Sequence, residues 1–117
     1  TRTSAPTTMA LDKNKEQIRS YLKEHFNLPA EQIEMMLPGF ITTLNNHMHT
    51  LEAALASGDP EQIGKASHTL KGALLNLGIQ DCADIAFEIE AHGKDGAADV
   101  DYTRLVGALR DKLAGFL

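Results

Sequence analysis

A histidine, two lysines and two glycines fall together in the run Gly64-Lys65-Ala66-Ser67-His68-Thr69-Leu70-Lys71-Gly72. A neutral imidazole is a good nucleophile near pH 7. Lys65 and Lys71 lie three residues to either side of His68, so on a helix both ammonium groups flank the ring. Positive charge there favours an incoming group that carries negative charge, such as a phosphoryl group. No nucleophile–base–carboxylate triad is evident around His68. The expected chemistry is therefore carriage: His68 accepts a phosphoryl group, and a partner protein supplies Mg²⁺ and the catalytic groups.

The element that must present His68 is a helix. Asp59-Pro60 reads as an N-cap followed by Pro at the first helical position, and Gly78 reads as a terminator. Together they predict a helix from about Pro60 to Leu77. On a wheel of about 100° per residue, Ile63, Ala66, Leu70, Ala73, Leu74 and Leu77 fall about 140° to 240° from His68. The apolar face is thus opposite the histidine, which is expected to point into solvent. Gly64 and Gly72, at i−4 and i+4, lie about 40° to either side of it. Each interior glycine costs about 1 kcal/mol relative to Ala. Both are expected to leave the ring clear so that a partner backbone can close over it. Leu75 lies about 20° from the histidine and is expected to join the contact surface.

The same periodicity predicts four more helices. The first runs from about Leu11 to Phe26, with Ile18, Leu22 and Phe26 inward. The second runs from about Ala30 to Ser57 along a stripe from Ile33 through Leu44 and Met48 to Leu55. Pro38-Gly39 predicts a kink or short break in it near Leu37. The helix after the histidine helix runs from about Asp81 to His92, with Cys82, Ile85, Ala86 and Ile89 inward. The last spans about Asp101 to Phe116, with Tyr102, Leu105, Val106, Leu109 and Leu113 inward. Short connections make neighbours antiparallel. The expected fold is all-α: an antiparallel up-down four-helix bundle with an additional N-terminal helix, occupying residues 11–117. Residues 1–10 are assigned to a disordered N-terminal segment or tag remnant, because Thr1 to Thr8 show no periodicity and Met9 reads as a native start.

Composition narrows the function classes. A chain of 117 residues suits one domain, and 43% hydrophobic content suits a globular one. With 5% aromatics and no Trp, the core must be Leu, Ile, Ala and Met, which favours helices packed on helices. A net charge of −5 argues against nucleic-acid binding. No apolar run reaches the roughly 18 residues of a membrane span, and no secretory signal is visible. The single Cys82 excludes an internal disulfide, fits a reducing cytoplasm and is expected to be a buried, inert thiol. A cytoplasmic monomer is expected, since no second long apolar seam remains. His47 and His49 diverge by about 200° on a helix and cannot share a metal. His25 and His92 suit helix C-termini, and the Met35-Met36 pair reads as core. No metal or cofactor site is expected.

The His68-x-x-Lys71-Gly72 core followed by Asn76-Leu77-Gly78, with Cys82, Glu90 and Gly93 downstream, resembles the histidine-containing phosphotransfer (HPt) domain of multistep phosphorelays. The resemblance extends from roughly Ile33 to Leu113. It implies a four-helix bundle in which His68 carries the phosphoryl group on Nε2. It also implies that Lys71 lies beside the phosphoryl oxygens and Gly72 gives room for a receiver domain. Glu90 and Lys94 match positions where a polar side chain orients Nδ1 and a basic one faces the partner. Such domains do not bind ATP or phosphorylate themselves. They take the group from an aspartyl phosphate on one receiver and pass it to another, so the implied partners are response-regulator receiver domains or a hybrid sensor histidine kinase. Ala73-Leu74-Leu75 departs from the smaller residues common in the family, which bears on partner preference. The alternative is a non-phosphorylated helical adaptor that keeps only the docking surface.

Overall fold

The computed structural model describes the backbone of residues 4–116 and the side chains of residues 15–116. Five helices account for most of it: α1 (Ser4–Phe26), α2 (Ala30–Ser57), α3 (Pro60–Asn76), α4 (Gln80–Lys94) and α5 (Tyr102–Leu113). There is no strand among the described residues. Helix α3 packs between α2 and α4, and α5 closes the circuit by touching both α4 and α2. This is the expected bundle, with α1 added along α2.

Local signals explain most helix ends. Asn27 adopts a left-handed conformation (φ 54°) and stops α1. Gly58 does the same for α2 (φ 76°), its N–H bonding the Leu55 carbonyl. The Asp59 carboxylate then caps α3, accepting from the Glu61 N–H at 3.1 Å. Asp101 caps α5 by accepting from the Arg104 N–H at 3.1 Å.

Two helices differ in extent from what the sequence predicts. Helix α1 starts at Ser4, earlier than the expected start near Leu11, while residues 1–3 lie outside the described residues. Pro6 falls in the first turn, where its missing N–H removes no helical bond, and nothing between it and Asn27 breaks the helix. Helix α2 continues through Pro38 as one helix, so of the kink or short break expected near Leu37 the break does not form. Pro38 and Gly39 both face solvent, so the carbonyl left unbonded can meet water.

The core is built from the predicted stripes. Ile18, Leu44, Met48, Leu51, Ile63, Leu70, Leu74, Ile89, Leu109 and Leu113 are fully buried. Cys82 is buried among them, and burial pushes its thiol up to about 11. Phe26 and Met35, expected inside, are exposed. Phe26 is the last residue of α1, and Met36 and Leu37 take the inward positions beside Met35.

Helix α1 also touches the turn between α3 and α4. Gln17 Nε2 donates to the Gly78 carbonyl at 3.1 Å. The Tyr21 ring fills the space above Gly78, where a Cβ would lie 2.3 Å from ring atoms. Gly78 has φ 73°, so both its backbone angle and its surroundings require glycine. This turn separates α3 from α4 and fixes how the two run back along each other.

Candidate functional site

The apolar face of α3 binds it to the bundle and leaves His68 outside. Its side chain is 61% exposed. Helix α4 runs alongside and brings Glu90 underneath the ring. Glu90 is only 3% exposed, and its Oε2 lies 2.7 Å from His68 Nδ1. A buried carboxylate at that distance organises the whole site.

Glu90 holds two lysines as well. Lys71 Nζ lies 2.6 Å from Oε1, and Lys94 Nζ lies 2.9 Å from Oε2. Burial alone would push the Glu90 carboxyl up, but Lys71, Lys94 and His68 outweigh it and hold it at about 2. The carboxylate is therefore ionised at neutral pH and can only accept. His68 Nδ1 then carries the proton and donates it, which leaves Nε2 as the nitrogen with a free lone pair. The two lysines differ in setting. Lys71 is 20% exposed, with its ammonium 5.1 Å from the centroid of the Phe87 ring. Lys94 is 67% exposed and sits at the rim.

The sequence-derived site residues divide into those the fold gathers and those it sends elsewhere. His68, Lys71, Glu90 and Lys94 come together. Gly72 is exposed, and a Cβ there would meet nothing within 4 Å, so the surface beside the ring is bare as expected. Leu75 is exposed on the same helix. Lys65 pairs with Glu61 one turn back, at 3.4 Å, and lines the same open pocket as His68 and Lys94.

Gly64 corrects the wheel. It is buried, and a Cβ on it would lie 3.1 Å from Gly93 Cα and C. It does not clear space for a partner, because α4 already occupies that space. The wheel counted apolar side chains only, and α4 covers an arc made of Gly64, Ser67 and Lys71, none of which is apolar enough to signal burial. Ser67 belongs to this contact: buried, it donates from Oγ to the Ala86 carbonyl at 2.6 Å.

Sequence reasoning missed Phe87 and the groove beyond Gly72. Phe87 is an exposed aromatic one turn before Glu90, off the inward stripe of α4, and that off-stripe position was the available signal. On the other side of His68, Thr69 and Gly72 border an open apolar groove of about 720 Å³, lined chiefly by Phe26, Leu28, Met36 and Phe40. Apolar surface therefore flanks the polar cluster on both sides. His47 lines the groove while His49 is exposed, so the two diverge as expected.

No helix among the described residues is long and apolar enough to cross a membrane. The sequence matches the family model described as the Hpt domain over residues 35–116, from early in α2 to the end of the bundle. Neither the curated proteins nor the solved structures yield a match.

Proposed function

Because the chain belongs to the Hpt domain family, whose members have a phosphotransfer role in phosphorelays, we propose that His68 is the residue that carries the phosphoryl group. The observation that supports this best is the Glu90–His68 contact of 2.7 Å, made by an ionised carboxylate to Nδ1.

In this reading a receiver domain bearing an aspartyl phosphate docks over His68, with Leu75, Phe87 and the apolar groove as its apolar contacts. The Nε2 lone pair attacks phosphorus. The N–P bond forms as the P–O bond to the aspartyl carboxylate breaks, and that carboxylate leaves with the electron pair. The ring keeps its Nδ1 proton and becomes positively charged, and Glu90 lies where it stabilises that charge. Lys71 and Lys94 face the negative charge that arrives with the phosphoryl oxygens. Transfer to a second receiver is the same step reversed, with a new aspartate as acceptor. The receiver supplies Mg²⁺ and the groups that stabilise the transferring phosphoryl. The chain acts as a carrier rather than a catalyst, and receiver domains or a hybrid sensor kinase are its partners.

The test is incubation of the protein with a phosphorylated receiver. The expected result is an acid-labile, alkali-stable phosphate on this chain, abolished by His68→Gln. Docking without transfer would favour the adaptor reading instead.

A further inference from the structure

Glu90 and His68 sit on different helices, so their contact is only as good as the spacing of α3 and α4. That spacing is set beside them by two glycines. Gly93 is one turn after Glu90 on α4, and Gly64 is one turn before His68 on α3. The helices run antiparallel, so the glycine contact and the His68–Glu90 pair lie at the same end.

The glycines allow backbone to touch backbone. A Cβ added to Gly93 would lie 2.6 Å from Gly64 Cα and from the Pro60 carbonyl oxygen, and 2.7 Å from Gly64 N. A Cβ added to Gly64 would meet Gly93 C and Cα at 3.1 Å and Lys94 N at 3.2 Å. These neighbours are main-chain atoms and cannot rotate away. One turn further along, the buried Ser67 Oγ–Ala86 carbonyl bond of 2.6 Å ties the same two helices. Glu90 lies between these two fixed points on α4.

We propose that the Gly64–Gly93 contact is a positioning element for His68, setting the helix separation at which Glu90 reaches Nδ1 and thereby fixing which ring nitrogen is nucleophilic. A methyl on Gly93 must move from 2.6 Å to the usual carbon contact of about 3.5–4.0 Å. With Ser67 held to Ala86, the helices open at the glycine end by on the order of an ångström. Glu90 lies about midway between the pivot and Gly93, so about half of that displacement reaches it and stretches the 2.7 Å hydrogen bond to the limit of about 3.2 Å within which such a bond is strong. Nδ1 then loses its dedicated acceptor, and the proton distributes between the two ring nitrogens.

This inference rests on reading His68 as the phosphoryl acceptor, but its first test needs no phosphoryl donor. Imidazole ¹⁵N shifts of the full chain, recorded where the ring is neutral, report the tautomer directly. Wild type is expected to show His68 with its proton on Nδ1. Gly93→Ala is expected to lose that preference, as Glu90→Ala does, and Gly64→Ala to lose it partly. Gly72→Ala, whose Cβ meets nothing within 4 Å, is expected to match wild type. Phosphoryl acceptance should fall on the order of tenfold in Gly93→Ala, as when other orienting hydrogen bonds are lost. The Gly93→Ala and Glu90→Ala double variant should be no slower than Glu90→Ala alone, because both act through one contact. A folded Gly93→Ala with the wild-type tautomer overturns the proposal. If Gly93→Ala does not fold, an unchanged tautomer in Gly64→Ala overturns it. Failure of the wild type to accept phosphate would overturn the functional reading and leave the tautomer result standing.

Discussion

Glu90 answers to three side chains with one carboxylate, and its ionisation is what the rest of the site depends on. The folded pKa of about 2 lies below the ordinary value of 4.5. A depressed carboxyl stabilises the fold above its unfolded pKa, and that contribution is lost as pH falls through the folded one. Wild type should therefore melt higher than Glu90→Gln at neutral pH, and the gap should narrow as pH drops from about 4.5 towards 2. Thermal melts of both proteins across that range check it, and a gap that stays constant would show that the ion pairs add no net stability. His68 and Lys71 were legible from type and spacing. Glu90 was legible only through the resemblance, because a glutamate on an outward arc of α4 reads as solvated surface until a neighbouring helix covers it.

At the scale of the helix, α2 shows how far packing overrides a local breaker. Pro38 removes one backbone hydrogen bond, yet the helix runs through it because Ile33, Leu37, Leu44, Met48 and Leu51 are buried on one continuous face. The penalty of that proline should still be present. Pro38→Ala is expected to raise stability by about 1–3 kcal/mol without changing phosphoryl transfer, since Pro38 faces solvent. Urea unfolding measures the first and a transfer assay the second; no gain in stability would mean the helix already bends to relieve the strain. Helix α3 was predicted almost to the residue, because the Asp59 side chain caps its first turn, Pro60 suits the first helical position and Gly78 takes the left-handed φ that ends it.

Across the whole molecule, the family match begins at residue 35, which leaves α1 outside it. The packing treats α1 as part of the domain nonetheless. Ile18 and Leu22 are buried, Tyr21 covers Gly78, and Gln17 bonds its carbonyl. Ile18→Ala should cost about 2–5 kcal/mol, as for other fully buried aliphatic truncations. Chemical denaturation checks this through a lowered midpoint at an unchanged slope. A loss below about 1 kcal/mol would show that α1 is an appendage rather than a part of the core.

Sequence alone determined the helices, their inward stripes, the caps and the outward histidine between lysines. Each of these follows from periodicity or from a residue's own backbone preference, and both are local. Tertiary structure decided which outward arcs remained outward. Gly64 looked bare and proved to be a helix contact, whereas Gly72, equally bare on the wheel, stayed open. Glycine carries no side chain to signal burial, so only the approach of α4 distinguishes the two. The same approach turned Glu90 from a surface charge into the carboxylate that holds His68, Lys71 and Lys94 together.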